Sequence, residues 1–311
     1  MPRVTADVAA ALDVVLAGGV VAIPTETVYG LAADASNEAA VRRIFAVKGR
    51  PAAHPLIVHV ADAAQLEDWA SDVPASAAAL AATCWPGPLT VLVPRAAHVL
   101  DVVTGGRATV GVRVPAHPLA TELLTGLASH VGRSHAGLAA PSANRFGRVS
   151  PTTAAHVVAD LGDSVDLVLD GGACPVGVES TIVDCTVVPP QVLRHGGISP
   201  EEIERLLDGG IAPASGPSRA AGMLASHYAP ACPVLLADDH VEAHRLAAIA
   251  GDAMVIGVDV DVVTYAQQLY EWLRSADVRG CSAVVAVLPP AAGLGHAVRD
   301  RLIKAAAARA G

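Results

Sequence analysis

Aromatic residues are scarce in this chain, 3% of 311, and charged ones make up only 16% against a hydrophobic share of 52%. So little charge and so much apolar surface exclude a disordered chain. With few aromatics, alanine and valine must fill the core. Basic residues are outnumbered, 21 Lys and Arg against 30 Asp and Glu, for a formal charge of −9. That excludes a broad electrostatic grip on nucleic acid, but not a local basic pocket for a small anion. The five cysteines, Cys84, Cys174, Cys185, Cys232 and Cys281, are odd in number and form no CxxC, so a zinc ribbon and a disulfide framework are both unexpected. Reduced thiols in a cytoplasmic protein are expected instead. Asp7 and Asp13 leave no clean signal-peptide core. The longest uncharged stretch, Val73 to Pro94, is broken by Pro86-Gly87-Pro88, so no membrane span is expected.

Familiar catalytic signatures are missing too. No GxxxxGKS/T occurs, no GxGxxG follows a strand, and HExxH and GxSxG are absent. A nucleotide, if one binds, must be held by a less common constellation.

The pattern that is present reads as α/β in two parts. A helix is expected over Thr5 to Ala17 with Thr5 as its N-cap, and another over Asn37 to Val47 with Ser36 as its cap. Gly49 and Pro51 stop the second helix, which places Lys48 and Arg50 where a helix becomes a loop. Strands are expected at Val20 to Pro24, Leu56 to Val60, Leu89 to Val93, Val110 to Val114, Leu167 to Leu169, Thr181 to Val183 and Val192-Leu193. Helices fit Ala75 to Ala82, Leu119 to Leu127 and Thr153 to Leu161, and Ser199-Pro200-Glu201-Glu202 reads as a capping box. This predicts a twisted mixed sheet over residues 1–208. Gly, Pro, Ala and Ser dominate 209–230, which reads as a linker. In 231–311, strands at Val234 to Leu236, Met254 to Val258 and Ala283 to Leu288 alternate with helices at Val241 to Ala250, Tyr265 to Arg274 and Gly295 to Ala308. That is the pattern of a small parallel, Rossmann-like α/β domain.

Four features could carry chemistry, and each has a structural alternative. Only two lysines occur, Lys48 and Lys304. In a chain that otherwise uses arginine, Lys48 is either a compact ammonium kept for a ligand or a cation favoured by a helix C-terminus. Ser150 before Pro151 reads as an N-cap, either an ordinary one or one that opens an anion site. Arg113, ending a valine-rich strand before Pro115, either grips a carboxylate bidentately or forms a structural ion pair. His59, in an apolar strand, reads as a packed residue or a ligand.

Taken in order, the segments resemble the YrdC-like threonylcarbamoyl-AMP synthase family in its long two-domain form. The likeness is carried by Pro24-Thr25-Glu26-Thr27-Val28-Tyr29-Gly30-Leu31, Lys48-Gly49-Arg50-Pro51 and Pro55-Leu56-Ile57-Val58-His59-Val60. It continues through Trp85-Pro86-Gly87-Pro88-Leu89-Thr90, Val112-Arg113-Val114-Pro115 and Ala140-Pro141-Ser142-Ala143-Asn144. Glu179-Ser180-Thr181-Ile182-Val183-Asp184, Val192-Leu193-Arg194 and the linker motif His227-Tyr228-Ala229-Pro230 complete it. The resemblance implies synthesis of threonylcarbamoyl-AMP from L-threonine, bicarbonate or CO2, and ATP, with release of pyrophosphate. The product would serve a downstream threonylcarbamoyl transferase acting on tRNA. It further implies that threonine is held by Thr27, His59, Arg113, the backbone at Ala140, and Ser180. ATP, with magnesium on its phosphates, would be held by Lys48, Arg50, His54, Thr109, Ser142, Ser150 and Arg194, with His227 or Tyr228 closing over it. Lys48 and Arg50 are expected to stabilise the transition state. His54 stands where the family usually has asparagine.

Two competing readings have their own signatures. A non-catalytic RNA-binding module of the same fold would show basic and aromatic residues interleaved, which this acidic chain lacks. Carbamoyl transfer in hydrogenase maturation involves larger proteins with CxxC clusters, absent here.

Overall fold

A computed structural model describes residues 2–215 and 227–307. In chain order its strands are β1 (Arg3–Thr5), β2 (Val21–Ile23), β3 (Gly30–Asp34), β4 (Ile57–His59), β5 (Leu89–Pro94), β6 (Thr109–Arg113) and β7 (Leu138–Ala139). They continue with β8 (Leu167–Leu169), β9 (Thr181–Asp184), β10 (Gln191–Arg194), β11 (Ala212–Pro213), β12 (Val234–Ala237), β13 (Ala253–Ile256) and β14 (Ala283–Val287). The first eleven make one mixed sheet in the order β1-β8-β2-β3-β7-β4-β6-β5-β9-β10-β11; the last three make a parallel sheet in the order β12-β14-β13. The expected class, a mixed α/β sheet followed by a smaller parallel one, is what the chain forms.

The middle of the large sheet positions everything that follows. Side chains alternate between the two faces of a strand. On β4, β5, β6 and β9, residues Val58, Val91, Val93, Val110, Val112 and Val183 face the main core. The opposite face carries Ile57, Leu92, Ile182 and Leu193, a small apolar patch of its own. Polar groups share that second face: His59 stands opposite Arg113 in the parallel β4–β6 register, and Thr90 pairs with Ile182. β10 departs from simple alternation. Its register shifts between Val192 and Arg194, so Val192 opposes Val183 while Arg194 opposes Ile182. The extra residue lets Leu193 and Arg194, consecutive in sequence, project to the same side.

Local chemistry sets the helix boundaries, and three expectations need correcting. The first helix is Val8–Leu16, capped by Asp7, whose side chain accepts from the Ala10 N–H; Thr5 lies instead in β1. The second is Glu38–Lys48, capped by Asn37 and not by Ser36. Ser36 is engaged with Asp34. Gly49 ends this helix in the left-handed region at φ 62°, the conformation that favours glycine. Ser150 caps nothing: the helix that follows is Ala154–Leu161, with Thr153 as its cap. The capping box at Ser199 and Glu202 forms as expected. Exchanging such a cap for alanine costs about 1 kcal/mol.

The Gly- and Pro-rich stretch after Asp208 is not all connection. Ala212–Pro213 is an edge strand paired with β10, and His227 to Pro230 packs against the first unit, with the Ala229 N–H donating to the Gly147 carbonyl. In the second unit, the Val262–Arg279 helix runs further than the expected Tyr265 to Arg274 because Asp261 caps one end and Gly280 the other. It buries Tyr265, Ala266, Leu269, Tyr270, Leu273 and Ala276, an amphipathic stripe at helical spacing. The core of this unit is shared: Val28, Val149 and Val178 of the first sheet's loops pack in the same cluster as Tyr270, Val298 and Leu302.

Candidate active site

A cleft opens on the second face of the large sheet, with Thr25, Ile57, His59 and Arg113 among the residues of its walls. Of the residues expected to bind ligand, Thr27, Arg50, His59, Arg113, Ala140, Ser142, Ser180, Arg194, His227 and Tyr228 line it. Four others do not. Lys48 lies beneath the wall, His54 stands behind Phe146, Ser150 is bonded to Glu179, and Thr109 opens β6 two residues before Gly111. Thr109 pairs with Pro94 at the far end of the β5–β6 ladder.

One end of the cleft is built on Arg113. Its Nη2 donates to Glu26 Oε1 at 2.7 Å and to Thr27 Oγ1 at 2.9 Å, and its Nε donates to the Gly87 carbonyl at 3.3 Å. Glu26 is fixed in turn by the Ala116 N–H. Of the two alternatives its sequence context left open, Arg113 forms the structural ion pair, and it also lines the cleft. Only its Nη1 lacks a partner among the described residues, so a ligand carboxylate would meet one open nitrogen rather than a vacant fork. Thr27 is tied to Thr25, and Ser180 shares a 2.8 Å hydrogen bond with Thr90. His59 is buried, and its Nδ1 has no partner among the described residues. Burial, reinforced by the Arg113 charge, pushes its pKa down to about 3, so the imidazole is neutral.

The other end gathers cations. Lys48 donates from Nζ to the Ser142 and Asn144 carbonyls, each at 2.5 Å, and so braces the Ala140-to-Asn144 wall from behind. Arg50 donates to the Pro55 carbonyl at 3.1 Å and lies 5.7 Å from the centre of the Phe146 ring, while its Nε has no partner among the described residues. Arg194 reaches the Ser180 carbonyl and hydroxyl, both at 3.0 Å. Burial lowers the pKa of all three, with Arg50 brought to about 10.

Over the cleft sits the segment after the linker. The His227 ring packs on Phe146 and Tyr228, and the Tyr228 ring stacks on Tyr270 at 5.8 Å. Tyr228 holds φ at 63°, a left-handed value unusual for a bulky side chain. Burial takes the His227 pKa down to about 3. Glu179 lies on the cleft wall below, its Oε1 accepting from Ser150 at 2.6 Å and its Oε2 accepting from Tyr270 and from Arg301, each at 2.8 Å.

Sequence reasoning missed Glu26, Phe146, Glu179, Tyr270 and Arg301. Two of them had a signal. A glutamate between two threonines at the end of a buried strand requires a cation, and Arg113 was the candidate. Arg301 falls on the apolar stripe Ala297, Val298, Leu302 and Ala305 of its helix, where a charge must meet a buried partner.

The arrangement can hold a small carboxylate at one end and a polyanion at the other, with small hydroxyls between them. Among the described residues, no helix is long and apolar enough to cross a membrane. Comparison with known proteins agrees with the cleft. A family profile described as "Telomere recombination", covering the Sua5, YciO and YrdC proteins, matches residues 13–196, and one described as "Threonylcarbamoyl-AMP synthase, C-terminal domain" matches residues 198–307. The threonylcarbamoyl-AMP synthase of Pyrococcus abyssi is 41% identical, covering 94% of this chain and 92% of its own. That of Bacillus subtilis is 38% identical, covering 93% and 90%. The crystal structure of P. abyssi Sua5 complexed with L-threonine superposes with a TM-score of 0.89 at 37% identity, covering 99% of this chain and 98% of that one. Nothing among these relatives favours a non-catalytic role. On its sequence, its two-part fold and its cleft, the chain belongs to the threonylcarbamoyl-AMP synthase family, in the form that carries the C-terminal domain.

Proposed function

We propose that this chain condenses L-threonine, CO2 derived from bicarbonate, and ATP into threonylcarbamoyl-AMP and pyrophosphate. The observation that carries the reading is the charge layout of the cleft. Glu26 is matched by Arg113 and Glu179 by Arg301, while the other end gathers Lys48 and Arg50, whose hydrogen bonds go to main-chain carbonyls, together with Arg194, a set of cations suited to a triphosphate.

In this reading the threonine carboxylate meets Arg113 Nη1, and its hydroxyl lies among Thr27, Ser180 and neutral His59. The threonine amine, as the free base, adds to CO2 and loses a proton, giving a carbamate. A carbamate oxygen attacks the α-phosphorus of ATP; the bond from that phosphorus to the β-phosphate bridging oxygen breaks, and pyrophosphate leaves. Neither step requires a protein nucleophile. Arg50 and Arg194, supported by Lys48, align the phosphates and stabilise the charge that shifts onto the leaving group. Among the described residues, no group of three His, Cys, Asp or Glu side chains could hold a metal ion. Magnesium would accompany ATP as its phosphate complex, with the charge neutralisation that a divalent cation supplies. Thr109 and His54, which do not line the cleft itself, are assigned to the surroundings of the nucleotide end. His227 and Tyr228 cover the nucleotide. The product then serves a transferase that modifies an adenosine in tRNA, in the cytoplasm.

Incubation with threonine, labelled bicarbonate and MgATP, followed by mass spectrometry, tests this. The expected result is threonylcarbamoyl-AMP carrying the bicarbonate label, with one pyrophosphate per product. Pyrophosphate release that ignores threonine, or no product at all, overturns it.

A further inference from the structure

The C-terminal unit sends one arginine to the cleft wall. Arg301 is fully buried, and its Nε donates to Glu179 Oε2 at 2.8 Å. Its Nη1 is held by Asp300, which also binds the Lys304 ammonium at 2.7 Å, and its guanidinium lies 5.0 Å from the centre of the Tyr228 ring. Glu179, Asp300, Arg301 and Lys304 thus form a cluster in which two carboxylates meet two cations. Glu179 alone among the four lines the cleft, next to Ser180, which Arg194 grips. Its carboxylate, held by Ser150, Tyr270 and Arg301, is part of the wall beside the space that the reading above gives to ATP.

We infer that Arg301 is a positioning residue for ATP: by cancelling the charge of Glu179 it lets the C-terminal unit set how tightly the cleft holds a triphosphate, while leaving the threonine end untouched. Without Arg301, Glu179 keeps Arg194 as a nearby cation but loses its ion pair, and the wall where the polyanion must lie becomes more negative by one charge. A carboxylate in a partly desolvated cleft repels phosphate far more strongly than one in water. The threonine end is insulated from this because Arg113 has its own carboxylate in Glu26. Glu179 is kept despite its charge because it accepts three hydrogen bonds that join Ser150, Tyr270 and Arg301 across the two units.

This inference rests on the cleft taking ATP, and the test separates the two ideas. Wild type, Arg301→Met, Glu179→Gln and the double variant are compared by calorimetric titration with MgATP and by KM for ATP and for threonine. Arg301→Met is expected to weaken ATP by about tenfold with the threonine KM unchanged. Glu179→Gln should bind ATP at least as tightly as wild type, and the double variant should return near wild-type affinity. Should Arg301→Met fail to fold, Glu179→Gln and the double variant still give the charge comparison. Equal loss of ATP and threonine affinity, weaker ATP binding by Glu179→Gln, or no rescue in the double variant overturns the inference. Wild type that binds no ATP refutes the functional reading itself.

Discussion

The two ends of the cleft treat buried charge in opposite ways. At the end proposed for threonine, Arg113 has a carboxylate partner 2.7 Å away. At the end proposed for the nucleotide, Lys48 and Arg50 donate to main-chain carbonyls. Burying an ion costs on the order of several kcal/mol even after relaxation. At the first end that cost is offset by a carboxylate within the fold; at the second it is offset in part by main-chain carbonyls, and a bound anion would add the rest. An end already neutralised can select a ligand by shape and hydrogen bonding. An end left cationic binds strongly but selects mainly for charge.

Four measurements would break or sharpen this contrast. Lys48→Ala removes the brace under Ser142 and Asn144 together with its charge, and should lower turnover by about 10²–10³-fold, the usual cost of removing one transition-state stabiliser. Near wild-type turnover would reduce Lys48 to a helix-end cation. Arg113→Lys cannot serve Glu26, Thr27 and Gly87 at once, so the threonine KM should rise by about tenfold or more while the ATP KM holds. A parallel rise in both would mean the ends are not separate.

A smaller effect concerns pH. His59 and His227 are held neutral with pKa values near 3, against about 6.5 for an unfolded histidine. Between those limits the unfolded chain binds more protons, so stability is complete above about pH 6.5 and falls as pH drops toward 3. Thermal melts from pH 7 to 5 should fall for wild type and fall less steeply for His227→Asn; identical slopes would show that His227 is not buried in solution. Smallest of all is His54→Asn. His54 contacts Phe146 edge-on and does not line the cleft, so activity should stay within about twofold, as for most substitutions outside a site's own walls. A thousandfold loss would give His54 a role the geometry does not.

Much of this was legible in the sequence because the relevant physics is local. Valine-rich alternation marks the central strands, Gly49 marks the helix end before Arg50, and Ser199 with Glu202 forms the capping box it spells. Arg194 was legible as a residue but not as a direction: strict alternation from Val192 would turn it into the main core, and only the shift at Leu193 turns it into the cleft. Ser150 misled because a serine before a proline looks like a cap, while Thr153 lies three residues later and takes the role. Ser36 and Thr5 failed similarly, each displaced by a stronger cap close by. Glu179, Tyr270 and Arg301 stand far apart in sequence. Their meeting depends on how the two units dock, which no window of local pattern contains.

The shared packing of Val28, Val149 and Val178 with the second unit has its own consequence. These three residues project from the loops that carry Thr27, Ser150 and Glu179. A chain cut after Pro230 would expose them to water and loosen those loops together. The two units are thus expected to melt together, since one apolar cluster draws side chains from both.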